Sequence, residues 1–261
     1  MGYQSIETAS SGFVMIAPTF LNVSESNEVS LADLKVTGYD APYWDTSGKK
    51  AQNKGGCVGA FVMQTLTTQG LADKKYAWYD YTTSATTKKG PGWFMSDGTE
   101  IEGGEASVKL DAGKALWITG AGLSLQPTGA VNPFDVSYKT AASGFVAVGN
   151  CMPVGTKLSD LTVTGYDAPY WDTSGKKAQN KGGGVGAFVM QTLTTQGLAD
   201  KKYAWYDYTT SATTKKGPGW FMSDGTEIEG GADNVVLDPG KGLWVTGAGL
   251  NLIVPAVELG N

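Results

Sequence analysis

The stretch Lys75-Tyr76-Ala77-Trp78-Tyr79-Asp80-Tyr81 occurs again, 127 positions later, as Lys202-Tyr203-Ala204-Trp205-Tyr206-Asp207-Tyr208. It is short, aromatic and without the apolar period of a helix, so it reads as a β-strand. Around it, Val36 to Gly104 reappear as Val163 to Gly231, and over these 69 aligned positions a single residue differs, Cys57 against Gly184. Identical sequence in similar surroundings folds alike and presents the same surface. The 261 residues therefore read as two copies of one domain, residues 1–131 and 132–261, each of a size that holds its own core.

Beyond the identical block the similarity is weaker. Ser11-Gly12-Phe13-Val14 aligns with Ser143-Gly144-Phe145-Val146, and Leu123-Ser124-Leu125 with Leu250-Asn251-Leu252. The offset is 132 at the first pair and 127 at the second, so copy 2 is five residues shorter between its opening strand and Leu161. Thr128 to Pro133, a short Gly and Pro segment, is the expected tether, too short for the halves to swing freely. Further strands are expected at Phe13 to Ala17, Val58 to Leu66, Val108 to Leu110 and Ala115 to Thr119. Turns are expected at Ser47-Gly48, Gly90-Pro91-Gly92, Asp97-Gly98 and Asp111-Ala112-Gly113. Ser30 to Leu34 and its counterpart Lys157 to Leu161 suggest one helical turn each. The fold class is all-β: two tandem, near-identical antiparallel domains, sandwich-like rather than closed barrels.

Composition narrows the chemistry. The net charge is −5, and all twenty basic residues are Lys, with no Arg and no His. A polyanionic partner such as nucleic acid calls for a concentrated basic face, which this balance disfavours. Guanidinium clamps are absent, and without imidazole neither Ser-His-Asp catalysis nor His-ligated zinc is available. No enzyme activity and no cofactor are expected. No segment approaches the roughly twenty apolar residues of a membrane span. Met1 to Ser11 do not read as a signal peptide, so export, the expected fate, would need a leader no longer attached.

Three groups of side chains are candidates for contact or chemistry. Trp78, Trp93 and Trp117 lie in apolar strand patterns and are expected in the core. The loop Tyr39-Asp40-Ala41-Pro42-Tyr43-Trp44-Asp45 places Tyr39, Tyr43 and Trp44 outside any strand, with Tyr166, Tyr170 and Trp171 as its second copy; it reads either as a packed lid or as a binding surface. Asp97 and Glu100 have some spacing for calcium or for a glycosidase pair, but without a calcium-loop pattern they read as a polar hairpin tip. Cys57 and Cys151 stand one per copy at unrelated positions. They are candidates for a disulfide, either locking the copies together or linking successive chains, against two free buried thiols. Within one chain the bond would close a loop of nearly a hundred residues, worth about 4–5 kcal/mol.

In its Gly-rich, Arg-free tandem β character, carried by features such as Gly120-Ala121-Gly122-Leu123 and Gly240-Lys241-Gly242-Leu243-Trp244, the chain resembles bacterial secreted or cell-surface repeat proteins of pilin, surface-layer or adhesin type. The resemblance implies an extracellular protein, and it transfers no functional residue. Two readings follow. In the first, the chain is the subunit of an extracellular filament: the surface joining copy 1 to copy 2 has a near copy left free, so chains stack head-to-tail. Gly2 to Ile6 and Leu250 to Val254 are then candidates for adding a strand to a neighbour. In the second, the chain is a tandem carbohydrate-binding or adhesin module with two equal sites at fixed spacing. The expected partners are the chain itself and, in the second reading, glycans.

Overall fold

A computed structural model describes residues 2–3, 5–7, 13–21, 29–37, 62–66, 72–79, 90–110, 114–119, 124–140, 145–165, 189–193, 199–207, 217–246 and 250–257. The protein is all-β, and among the described residues the strands are accompanied only by three-residue 3₁₀ helices. Copy 1 contains β1 (Gly2–Tyr3), β2 (Ile6–Glu7), β3 (Phe13–Ile16), β4 (Phe20–Leu21), β5 (Val29–Ser30), β6 (Leu34–Thr37), β7 (Val62–Leu66), β8 (Ala72–Tyr79), β9 (Gly92–Met95), β10 (Lys109–Leu110), β11 (Leu116–Thr119) and β12 (Ser124–Val131). Copy 2 contains β13 (Val136–Lys139), β14 (Phe145–Gly149), β15 (Thr156–Lys157), β16 (Thr162–Thr164), β17 (Val189–Leu193), β18 (Ala199–Tyr206), β19 (Gly219–Met222), β20 (Val236–Leu237), β21 (Gly242–Thr246) and β22 (Asn251–Val254).

The main sheets have matching orders, β3-β11-β7-β8-β9 and β14-β21-β17-β18-β19, with every pairing antiparallel. Their registers carry the two offsets read from the sequence. Ile16 stands opposite Leu116, and Val148 opposite Leu243. A second sheet covers each core, built around β12 in copy 1 and around β22 in copy 2. Alternation sends Ile16, Leu116, Ile118, Tyr76, Trp78 and Trp93 inward from the main sheet of copy 1, to meet Ile6, Leu34, Val36 and Leu125 from the covering sheet. The corresponding cluster in copy 2 is built from Val148, Leu243, Val245, Tyr203, Trp205 and Trp220 against Val163, Leu252, Val254 and Tyr138.

Local chemistry explains several joints. Both expected helical turns form as 3₁₀ helices, Leu31–Asp33 and Leu158–Asp160. The first is held by the Asp33 carboxylate, which accepts from the Ser30 backbone N–H and hydroxyl, each at 2.8 Å. At the Asp97-Gly98 turn, Gly98 has φ of 85° and donates to the Met95 carbonyl, a conformation that suits glycine.

Two expectations about connections change. The tether is no loose segment, because Thr128 to Val131 complete β12, paired with β1 on one side and β4 on the other. The remaining connection is also held: Asn132 Oδ1 accepts from Phe134 N, and Asp135 Oδ1 from Ala256 N. The two segments that were candidates for adding to a neighbour's sheet are paired within the chain, β1 along β12 and β22 between β13 and β16. β22 is thereby flanked on both sides, which closes it to strand addition, whereas among the described residues β1 is paired along one side only and stands at the edge of its sheet. Among the described residues, no helix is long and apolar enough to cross a membrane.

Candidate functional site

Where the identical block is described, it builds one geometry twice. The Trp93 indole N–H donates to the Leu34 carbonyl and that of Trp220 to the Leu161 carbonyl, both at 2.8 Å. Trp78 meets Trp93 edge-to-face at 5.5 Å, as Trp205 meets Trp220. Each pair fills a core corner and satisfies its buried polar edge. The hydroxyls of Tyr79 and Tyr206 donate to the carbonyls of Ser96 and Ser223. Burial, and then the nearby Asp97 or Asp224, pushes both phenols above their ordinary range. Asp97 Oδ1 accepts from Thr99 N and Oγ1 at 2.9 and 2.7 Å, and Asp224 does the same for Thr226. These carboxylates hold their own hairpin tips.

Beside the copy 1 hairpin lies a groove of about 560 Å³. Lys74, Lys109, Glu100 and Glu102 ring it, and Tyr76 and Ile101 lie among its apolar lining. The counterparts of Ser107 and Lys109 in copy 2 are Asn234 and Val236, so the second copy lacks one of the two ammonium groups and places a half-exposed valine there. The lining of the groove thus differs between the copies, whereas the hairpin geometry is common to both.

The surface joining the copies is the more informative feature. Two isolated bridges cross it, Ile16 to Lys241 and Lys114 to Val148. Val148 is the counterpart of Ile16, and Lys114 that of Lys241, so exchanging the copies turns one bridge into the other. Trp117 packs on its own counterpart Trp244 with ring centroids 6.0 Å apart. Met15, Ala115 and Ala147 are buried with that pair, and backbone bonds run from Ala17 N to Gly240 O and from Ala115 N to Ala147 O. Equivalent residues meet equivalent residues, which is the signature of a two-fold, isologous contact.

This corrects the expectation of a spare interface. A head-to-tail contact would use different patches on the two copies and leave one of each free; a two-fold contact uses the same patch from both and consumes them together. Trp117 is corrected as well. Its neighbours Leu116 and Ile118 point into the core of copy 1, so alternation turns Trp117 outward, half-buried, against copy 2. Among the positions at which the aligned strands differ, the outward-facing ones, Met15 against Ala147, Ala17 against Gly149 and Ala115 against Gly242, fall on this surface.

Cys151 is a free thiol, 2% exposed, and Tyr138 donates its hydroxyl to the sulfur at 3.5 Å. Burial pushes the thiol up despite that hydrogen bond, the reverse of what a reactive cysteine requires. No disulfide is seen at Cys151, and its burial also keeps the sulfur from a neighbouring chain. Cys57 lies outside the described residues, as do Tyr39, Tyr43, Trp44, Tyr166, Tyr170 and Trp171. Among the described residues, no group of three or more His, Cys, Asp or Glu side chains is placed to hold a metal. Comparison with protein-family models, with curated proteins and with solved structures found no match.

Proposed function

We propose that the chain is a bivalent carbohydrate-binding module acting outside the cell, with one site in each identical block. The observation that carries this reading is a division of labour. Every described residue identified at the contact between the copies, from Met15 to Ala17 and from Lys114 to Trp117 with their counterparts, lies outside Val36 to Gly104 and Val163 to Gly231. The described parts of the two blocks thus take no part in the contact, while strands outside the blocks form it. Two equal sites at fixed spacing bind a repeating ligand through effective concentration rather than through new contacts. Glycans are the ligand class that the loop aromatics suit, because sugar rings stack on Trp and Tyr while their hydroxyls need polar neighbours of either kind.

The test is a glycan array followed by substitution. Trp44→Ala or Trp171→Ala alone is expected to lower retention on an immobilised glycan by about 10²-fold, with the remaining site unchanged toward a soluble oligosaccharide; both together abolish binding. An array without hits, or a double variant that still binds, overturns the proposal.

A second reading, the subunit of an extracellular filament, draws on apolar side chains of copy 2. Phe134, Val154 and Val236 are 71, 47 and 52% exposed, and the counterpart of Val236 is Lys109, so the two copies do not offer a neighbour the same surface. Growth would proceed through such a surface and not through the two-fold contact. Long assemblies in electron micrographs of native material would favour it.

A further inference from the structure

We infer that the contact between the copies is keyed by side-chain size, so that copy 1 fits copy 2 and neither fits its own kind. At each of the four differing positions on this surface the larger residue belongs to copy 1: Met15 against Ala147, Ile16 against Val148, Ala17 against Gly149, and Ala115 against Gly242. A two-fold contact between equal partners would put like residues face to face. Here a large residue meets a small one.

Gly242 shows how tight the fit is. A Cβ added there would fall on Cγ of Met15, 2.8 Å from Met15 Cβ and 2.9 Å from Ala115 Cβ. All three atoms belong to copy 1, and two of them are Cβ atoms that no rotamer change can move aside. Gly242 does not have positive φ, so the space and not the backbone excludes a side chain. At Gly149 an added Cβ would stand 2.6 Å from Ala17 Cβ. Two copies of the first kind would therefore bring alanine against alanine where one must be glycine, and would overpack. Two copies of the second kind would lack the Met15 side chain that covers Gly242, and would leave a void. The face is an interaction surface fitted to the other copy of the same chain. This inference stands independently of any glycan binding.

A reciprocal exchange in the full chain tests it. Gly242→Ala with Ala147→Met gives copy 2 the sizes of copy 1 at these two positions. Met15→Ala with Ala115→Gly gives copy 1 the sizes of copy 2. Gly149 is left alone because an added Cβ would also crowd the Lys241 carbonyl of its own copy. Each one-sided pair is expected to lower the melting temperature by about 5 °C or more and to weaken the near-ultraviolet signal of the Trp117–Trp244 pair. All four changes together are expected to recover most of both losses, because the fit is restored with the copies exchanged. If one one-sided pair unfolds the chain and the fourfold variant folds, the inference is supported in the same way. If the fourfold variant is no better than the sum of its halves, or does not fold, or if the one-sided pairs cost nothing, size keying is wrong.

Discussion

Cys151 illustrates how burial decides the chemistry of a residue. A lone cysteine per copy suggested a crosslink, but the thiol is enclosed in the core of copy 2 with Tyr138, where copy 1 has Thr19 and Ile6. Both groups are held protonated, Tyr138 by burial and then by the adjacent thiol, and Cys151 by burial against the counteracting hydrogen bond. The unfolded chain ionises them near their ordinary values of 9.0 and 10.0, while the folded chain retains the protons. The stability they contribute is therefore complete below about pH 9 and is lost as pH rises. In urea titrations between pH 8 and 11, the midpoint of the native chain is expected to fall with pH, and less steeply in the Cys151→Ala, Tyr138→Phe double variant. Equal slopes would refute the assignment. Tyr79, Tyr203 and Tyr206 are raised as well, so the slope decreases without vanishing.

At the scale of elements, the copies solve one problem differently after their opening strand. Copy 2 is five residues shorter there, and Asn150, 2% exposed, organises the shortened loop. Its Nδ2 donates to the carbonyls of Val154 and Leu237 at 2.8 and 2.9 Å, and its Oδ1 accepts from Met152 N and Thr156 Oγ1. The loop is thereby tied to β20 by a fully occupied amide. Copy 1 has Pro18 at the aligned position, which has no such groups. Asn150→Ala would leave several buried partners unsatisfied, and is expected to destabilise the chain by about 3 kcal/mol or more by chemical denaturation. A loss below 1 kcal/mol would mean that water replaces the amide readily.

Over the whole molecule, the two-fold contact decides whether the halves unfold together. Two cores joined only by a tether would melt separately, whereas a shared buried surface couples them. Trp117→Ala removes the side chain that meets Trp244 and leaves the Leu116 and Ile118 core contacts in place. Calorimetry of the native chain is expected to show one transition, and the variant two, with the weaker copy melting first. A single unshifted transition in the variant would show that the contact contributes nothing to coupling.

The strand character, the antiparallel all-β class and the repeat offsets were legible in the sequence because they are local or one-dimensional properties. Alternation marks a strand, glycine with aspartate marks a turn, and Ile16 and Val148 reach their partners Leu116 and Leu243 at the two offsets that alignment had shown. Of the candidate site, the sequence supplied the residue types of the aromatic loop but no position for them. The role of Trp117 was misread because an apolar strand residue looks alike whether it faces its own core or another copy; only the side of the sheet separates the two. Whether a duplicated surface repeats head-to-tail or closes on itself depends on the rotation between the copies, and no residue encodes that rotation alone. It emerges from the summed packing of Met15, Ala17, Ala115 and Trp117 against their counterparts, and so the tertiary structure determined that the contact is two-fold.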